Sequence, residues 1–181
     1  MLRQTYTLVV DDTKTWDDPI PPTRGYSFTS SNSSNIDKAI PPPYYAKQSK
    51  GKGRGLFASR DITKGELVHN GDISDIVFPG KDAISWKRFV FSLPRDLACD
   101  CTDWHWMQMK YEGDNYHMVG ALDISVLMNS GGEEFGSERA PNVLPESEYS
   151  GKQFAVRDIA KDEEILTDYD AYWTEWSEVG L

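Results

Sequence analysis

The sequence predicts a mainly β domain of the α+β class, and three observations carry that prediction. The 181 residues are enough for one domain with a buried core. Hydrophobic residues make up 39% and charged residues 27% of the chain, which is ordinary for a soluble globular protein. From Tyr44 onward, short apolar runs alternate with glycine-containing turns, and few stretches have helical spacing. Many short strands with little helix are typical of a β-rich α+β fold.

Residues 1–43 differ in composition from the rest of the chain. Asp-Pro and Pro-Pro pairs, a serine- and asparagine-rich stretch at 30–35 and three consecutive prolines at 41–43 are typical of turns and extended segments. Within this region, Thr5–Val10 suits a short strand. We therefore predict an irregular N-terminal arm over residues 1–43 and a single domain over residues 44–181.

The first elements of the domain follow from its apolar patterns. The run Gly55–Ser59 predicts a strand after a glycine-rich turn, and Ile62–Val68 predicts a turn that leads into another strand. Residues 82–92 have apolar positions near helical spacing and predict a short helix. The aromatic, alternating stretch Trp104–Tyr111 predicts a strand.

The C-terminal part of the domain continues the same pattern. Residues 122–128 are apolar at near-helical spacing and predict a short helical segment. Gln153–Ile159 predicts a strand, and Asp162–Tyr169 follows it as the next structured segment. Residues from about 72 to 118 are interpreted as a segment inserted into the domain, and no internal repeat is expected.

The net charge at pH 7 is −10, which argues against direct binding to nucleic acid, because that binding relies on a basic face. An acidic surface would attract a cationic partner such as a lysine-rich peptide, although it serves solubility equally well. No run of about 18 apolar residues is present to span a membrane, and the N-terminus lacks the basic-then-apolar pattern of a signal peptide. We therefore expect an intracellular protein of the nucleus or cytoplasm, without a membrane partner.

Two cysteines, Cys99 and Cys101, are separated by one residue, and a disulfide across so short a gap would be strained. We expect two reduced thiols, as in intracellular proteins. His105 follows closely, but structural zinc usually takes four ligands in two spaced pairs, and the sequence offers no second pair. No metal site is predicted. His69, His105 and His117 show no pattern for general-base work and are expected to be structural or exposed.

A glycine-rich loop opens the domain. Gly51, Gly53 and Gly55 stand at alternate positions, which lets the backbone adopt positive φ and lets a ligand approach the main chain. The loop lacks the Gly-Lys-Ser/Thr ending of a phosphate loop and the spacing of a dinucleotide fingerprint. On this motif alone, a flexible turn and a ligand-binding loop both remain open.

Five motifs, in order, resemble the SET domain of protein lysine methyltransferases. Gly53–Ala58 (GRGLFA) and Arg60–Val68 (RDITKGELV) are similar to the opening of that domain. Leu127–Ser130 (LMNS) is similar to its Asn-His-Ser segment, and Ala140–Val143 (APNV) to the Pro-Asn pair that follows. Phe154–Tyr169 (FAVRDIAKDEEILTDY) resembles its closing strand and Glu-Glu-Leu-Thr-x-Asp-Tyr motif.

The resemblance implies a fold and an activity. The fold is of the β-clip type, with small curved sheets and a final segment that threads through a loop as a C-terminal pseudoknot. The activity is methyl transfer from S-adenosylmethionine to the side-chain amine of a lysine in a protein substrate, a histone or another protein. In such domains the donor and the lysine enter from opposite faces and meet through a narrow channel.

The resemblance also assigns site residues by matching positions. Tyr169 would be the catalytic residue at the point of methyl transfer. Asn129 would hydrogen-bond the donor's amino group, and the backbone of Ser130 would hold its adenine. The remaining donor-binding positions would be Lys52, Gly53 and Arg54, through backbone groups, and Trp173, against the adenine, although a hydrophobic cap on the domain accounts for Trp173 equally well.

The chemistry of such a site follows from general principles. A lysine amine has a reference pKa near 10.4 and must lose its proton before it can attack the methyl group of a sulfonium cation. Like-charge repulsion and a dry channel both lower that pKa. An aromatic channel suits the apolar stem and cationic head of lysine. Tyr116, Phe135 and Tyr172 are the predicted channel walls, and each also suits an ordinary core or surface position.

Several positions depart from the family pattern. Ser130 replaces the usual histidine, an acidic insertion occupies residues 131–139, and the cysteine clusters that often flank SET domains are absent. These departures favour a catalytically inactive SET-like module that binds a protein partner. Tyr169 and the glycine loop favour the methyltransferase, because a binding module needs neither. Both functions therefore stay open on the sequence.

Overall fold

The computed structural model describes residues 42–78, 83–121, 123–132 and 139–171. They form the mainly β architecture that the sequence predicts, with few and short helices. The strands are β1 Tyr44–Ser49, β2 Gly53–Ala58, β3 Leu67–Asn70, β4 Asp75–Phe78, β5 His105–Gln108, β6 His117–Ala121, β7 Asn129–Ser130, β8 Val143–Pro145, β9 Lys152–Ala155 and β10 Glu164–Thr167. The helices are α1 Gly71–Ser74, α2 Ile84–Phe91 and α3 Arg95–Asp103, with 3-10 helices at Ile124–Leu127 and Tyr169–Ala171. No helix in these ranges is long and apolar enough to cross a membrane.

The first sheet has the strand order β1-β2-β10-β7 and joins distant parts of the chain. β1 and β2 form an antiparallel hairpin around the glycine loop. β10 lies antiparallel to β2, with Ile165 opposite Leu56, and parallel to β7, with Leu166 opposite Asn129. The last strand is thus inserted between an early strand and a middle one.

Two further three-stranded sheets complete the fold. One has the order β3-β9-β8 and the other the order β4-β6-β5. The second of these, with α2 and α3, occupies the chain from Asp75 to Ala121 and has its own apolar cluster. The buried members of that cluster are Ala83, Trp86, Val90, Cys101, Met107 and Met118. A larger cluster, which includes Tyr44, Leu56, Ile62, Ile124 and Ile165, lies under the first sheet.

Two helices, α1 and α3, lie where the sequence analysis predicts none. α3 follows Pro94 and packs Leu97, Ala98 and Cys101 against the cluster of the inserted segment. Cys101 is fully buried and Cys99 is exposed, and both are free cysteines. The helix has too few apolar residues for its period to be read from the sequence. Its position is therefore set by tertiary packing.

The other helical predictions are confirmed. α2 lies within the helix predicted over residues 82–92. The near-helical segment 122–128 forms the 3-10 helix Ile124–Leu127, and the carboxylate of Asp123 caps it by accepting from the N–H of Ser125 at 2.9 Å. This short helix leads directly into β7 and so fixes where that strand begins.

An internal repeat is present, although the sequence analysis expects none. Phe57–Glu66 (FASRDITKGE) and Phe154–Glu163 (FAVRDIAKDE) carry the same residue at seven of ten positions. The two copies meet at Ile62 and Ile159, and each of these residues donates its N–H to the carbonyl oxygen of the other at 2.9 Å. This reciprocal exchange relates the copies by a local two-fold axis.

Polar contacts of the turns obey the same two-fold relation. The N–H of Lys64 donates to Asp158 Oδ1 at 2.8 Å, and the N–H of Lys161 donates to Asp61 Oδ1 at 2.9 Å. Each copy also contains one ion pair, Arg60–Glu66 at 2.5 Å and Arg157–Glu163 at 2.6 Å. A carboxylate from one copy therefore completes the turn of the other.

Candidate active site

Tyr169 begins the 3-10 helix that follows β10, beside the short strand β7. Its hydroxyl donates to the carbonyl oxygen of Met128 at 2.9 Å, and its N–H donates to Ser130 Oγ at 3.4 Å. Burial raises the pKa of the Tyr169 hydroxyl above its ordinary value. The phenol is therefore neutral near pH 7, and its oxygen can still accept a hydrogen bond.

A cavity of about 230 Å³ opens beside Tyr169. Its aromatic walls include Trp104 and Trp106, and its carboxylates are those of Asp75 and Asp103. No lysine or arginine is among the described residues that line it. Aromatic faces with carboxylates suit a ligand that has an apolar stem and a positive charge.

One wall of the cavity is a polar chain centred on His69, which is buried. The Tyr44 hydroxyl lies 3.2 Å from His69 Nδ1, and Ser74 Oγ lies 3.4 Å from His69 Nε2. Ser74 Oγ also donates to Asp75 Oδ1 at 3.2 Å, which holds that buried carboxylate at the cavity. The buried Thr167 hydroxyl lines the same cavity and has no hydrogen-bond partner within the described residues.

His105 lines the cavity from the inserted segment. Its Nδ1 is hydrogen-bonded to the carbonyl oxygen of Cys101, and its ring is surrounded by Phe78, Trp86 and Phe89. Burial lowers the pKa of His105, so the imidazole is neutral near pH 7. This environment is that of a structural histidine.

The glycine loop lies next to β7. Gly51 and Gly53 have φ of +79° and +75°, a conformation that favours glycine. A Cβ built at either position would meet nothing within 4 Å, so a ligand has room to approach the main chain there. The N–H of Lys52 donates to the carbonyl oxygen of Ser49 at 3.2 Å and is therefore used by the turn itself.

Asn129 has a fixed amide orientation. Its Nδ2 donates to the carbonyl oxygen of Arg54 at 2.8 Å and to Glu164 Oε1 at 3.0 Å. Both partners are acceptors, so the amide oxygen points away from them and can accept from the ammonium of S-adenosylmethionine. At the adenine position the fit is poorer, because Lys52 Nζ donates to the Ser130 carbonyl oxygen at 2.7 Å. The residues present therefore fit the methionine end of the donor.

Sequence reasoning missed the residues that hold this arrangement together. The fully buried side chain of Asn142 donates from Nδ2 to the Glu164 carbonyl oxygen and accepts at Oδ1 from the Leu166 N–H, both at 2.8 Å. Glu164 itself is 4% exposed and pairs with Arg139 at 2.6 Å. The Pro-Asn motif pointed to Asn142 and the closing motif contains Glu164, but neither motif shows which residues these side chains contact, and nothing in the sequence pointed to Arg139.

The predicted site residues are only partly brought together. Tyr169, Asn129 and Ser130 adjoin one another, and the loop residues Lys52 and Arg54 contact β7 through Ser130 and Asn129. Tyr116 packs against the apolar cluster of the inserted segment and is not among the residues that line the cavity. Three further predictions, Phe135, Tyr172 and Trp173, lie outside the described residues.

The chain is similar to known proteins in its sequence pattern and in its fold. The SET domain family model matches residues 53–170, well over half of the chain. Among solved structures, the chain is similar to a candidate histone methyltransferase of Plasmodium falciparum, with 24% identity and a TM-score of 0.43, over 72% of this chain and 95% of that one. It is also similar to DIM-5, a histone lysine methyltransferase of Neurospora, with 14% identity and a TM-score of 0.43, over 67% of this chain and 50% of that one.

A third similar structure is the Polycomb Repressive Complex 2 of Chaetomium thermophilum, bound to S-adenosylmethionine in an autoinhibited conformation. The identity is 19% and the TM-score 0.49, over 77% of this chain and 16% of that one. No curated protein sequence matches the chain. The matched residues begin in the glycine loop and end just past Tyr169, and on that match the chain belongs to the SET domain family.

Proposed function

We propose that the protein transfers a methyl group from S-adenosylmethionine to the side-chain amine of a lysine in a protein substrate, a histone tail or a non-histone protein. The observation that carries the proposal is the position of Tyr169. This residue contacts Ser130 of β7 on the donor-binding side and also lines the acidic, aromatic cavity. One side chain therefore adjoins both the predicted donor site and a chamber suited to lysine.

Each described residue has a definite task in this reaction. S-adenosylmethionine supplies the methyl group from its sulfonium and leaves as a neutral thioether. The Trp104 and Trp106 rings pack along the lysine stem, and the Asp75 carboxylate attracts its ammonium. The Tyr169 oxygen, whose O–H is directed to Met128, accepts from an N–H of the deprotonated amine and aligns its lone pair with the methyl carbon. The lysine proton leaves to solvent before the attack.

A second function is favoured by a specific contact. Lys52 Nζ donates a hydrogen bond to the Ser130 carbonyl oxygen, the group that the resemblance assigns to the adenine. An inactive SET-like module that binds a cationic peptide in the cavity would keep this contact permanently. Calorimetric titration with S-adenosylmethionine to millimolar concentration separates the two functions. Saturable binding of one donor, weakened in Asn129→Ala, supports the enzyme, whereas absence of binding supports the module.

Tyr169→Phe tests the methyltransferase directly. We expect the rate of methyl transfer to purified core histones or to proteins of a cell extract to fall by about a hundredfold or more, because the amine loses its alignment. Donor binding by calorimetry and the thermal midpoint should change little. Tyr111→Phe, at a side chain that is 63% exposed, is the matched control. Full activity in Tyr169→Phe would contradict the assigned role.

The cellular location stays a prediction. An intracellular protein of the nucleus or cytoplasm fits the two free cysteines and the proposed substrates.

A further inference from the structure

Glu164 is the most buried carboxylate that contacts a predicted donor-binding residue. It begins β10 and is 4% exposed. Its Oε2 accepts from Arg139 Nη2 at 2.6 Å, and its Oε1 accepts from Asn129 Nδ2 at 3.0 Å. Burial of an ionised carboxylate is costly unless both oxygens are hydrogen-bonded. Both are engaged here, one by a cation and one by the amide of Asn129.

The contact with Asn129 decides which end of that amide faces the donor site. An asparagine amide can rotate by half a turn at little steric cost, and its orientation follows from its partners. The Arg54 carbonyl oxygen and the Glu164 carboxylate both require a donor. A hydrogen bond to a charged acceptor is stronger than one to a carbonyl group, so Glu164 contributes the larger share of this preference.

Gly55 shows how closely the pair is fitted into the sheet. A Cβ at Gly55 would lie 2.5 Å from Glu164 Oε1 and 2.8 Å from Asn129 Nδ2. The hydrogen bond therefore lies directly on the backbone of β2, where an added Cβ would displace one of these two side chains. Three strands, β2, β7 and β10, meet at this one contact.

We propose that Glu164 is a positioning residue for donor recognition. Its carboxylate holds the Asn129 Nδ2 inward, toward Glu164 and the Arg54 carbonyl oxygen, so that Oδ1 is presented to the ammonium of the donor's amino-acid part. If Oδ1 faced inward instead, the two N–H groups of Nδ2 would point at the ammonium and repel it. The inference rests on the proposed function, since it needs a donor with an amino-acid end at this site.

Glu164→Gln is an isosteric test. The new amide is expected to turn its oxygen toward Arg139, which can only donate, and its Nε2 toward Asn129. Asn129 would then have to turn its oxygen toward the new amide, but also toward the Arg54 carbonyl oxygen, which still requires a donor. The variant therefore removes the shared preference that fixes the Asn129 amide, with little change in volume.

The readout is discrimination between two ligands that differ only in the amino group, S-adenosylhomocysteine and its deaminated analogue. By calorimetry, we expect the wild type to prefer the amino form by about 10- to 100-fold, the range expected for one hydrogen bond to a charged group. Glu164→Gln should lose most of this preference and bind the deaminated analogue within about twofold of the wild type. If Glu164 had only a structural role, the variant would weaken the binding of both ligands alike. That result would overturn the proposal.

Two further variants make the test decisive. Glu66→Gln removes a carboxylate that pairs with Arg60 at 2.5 Å and does not contact Asn129, so it should keep the wild-type preference. Glu164→Asp keeps the charge for Arg139 but is one methylene short of Asn129, and it should lose the preference in a folded protein. If neither Glu164 variant folds by circular dichroism, or if either keeps full discrimination, the proposal is wrong. A wild type that binds neither ligand would instead refute the proposed function.

Discussion

Replacing Asn142 with alanine is expected to destabilise the domain strongly, because this side chain hydrogen-bonds two backbone groups of β10. Asn142 is 0% exposed. It satisfies the carbonyl oxygen of Glu164 and the N–H of Leu166, each at 2.8 Å. Alanine would leave both backbone groups buried without a partner, on the strand that is inserted into the first sheet.

The magnitude follows from counting these groups. A buried polar group that loses its partner costs about 1–3 kcal/mol, so two such groups predict a loss of about 2–6 kcal/mol in the free energy of unfolding. Urea denaturation measures this loss. With an m-value of about 2 kcal/mol per molar, the midpoint should fall by about 1–3 M. A loss of this size is a large share of the stability of an ordinary domain.

The matched control is Asn115→Ala. Asn115 is exposed, and its hydrogen bond to Asp114 is made by the backbone N–H, so its side chain can be removed within about 0.5 kcal/mol. A loss below about 1 kcal/mol in Asn142→Ala would refute the reasoning, since it would show that the two backbone groups of β10 do not depend on this amide.

Two further predictions concern stability. Because burial lowers the pKa of His105, the unfolded chain takes up its proton first, and stability should fall as the pH drops below about 6.5 toward the lowered pKa, by up to about 1.4 kcal/mol per pH unit. His105→Phe should flatten the pH dependence of the unfolding free energy between pH 7.5 and 5.5, and an unchanged slope would count against the assignment. Gly55→Ala should cost about 1–3 kcal/mol in urea denaturation and weaken donor binding, because its Cβ would lie 2.5 Å from Glu164 Oε1. Wild-type stability and affinity in this variant would show that the contact is not tight.

The strands β2 and β3 were predictable because their signals are local. Apolar runs bounded by glycine marked β2, and the turn at Lys64 and Gly65 marked the start of β3. The positions of Tyr169 and Asn129 were predictable because each lies in a motif of the family. What the sequence could not show is the contact of Glu164 with Asn129, since it depends on the parallel pairing of β10 with β7.

The repeat is hard to see in the sequence because one of its turn residues differs between the two copies. The glycine at position 65 is replaced by Asp162 in the second copy, although both residues have positive φ, +84° and +66°. Aspartate tolerates this conformation better than most residues, so the turn survives a change that hides the similarity. The equivalence becomes clear once Lys64 and Lys161 are seen to make the same contact with a carboxylate of the other copy.

The two-fold repeat has a consequence for the order in which the chain folds. During synthesis, the first copy emerges long before its complement, since Lys64 and its partner Asp158 are 94 residues apart. Closing so long a segment carries an entropic cost, and we expect it to delay the docking of the two copies. The second copy leads directly into β10 and Tyr169. The docking that completes the early turn therefore also brings in the last strand of the first sheet, so we expect the candidate site around Tyr169 to form only when the two copies dock.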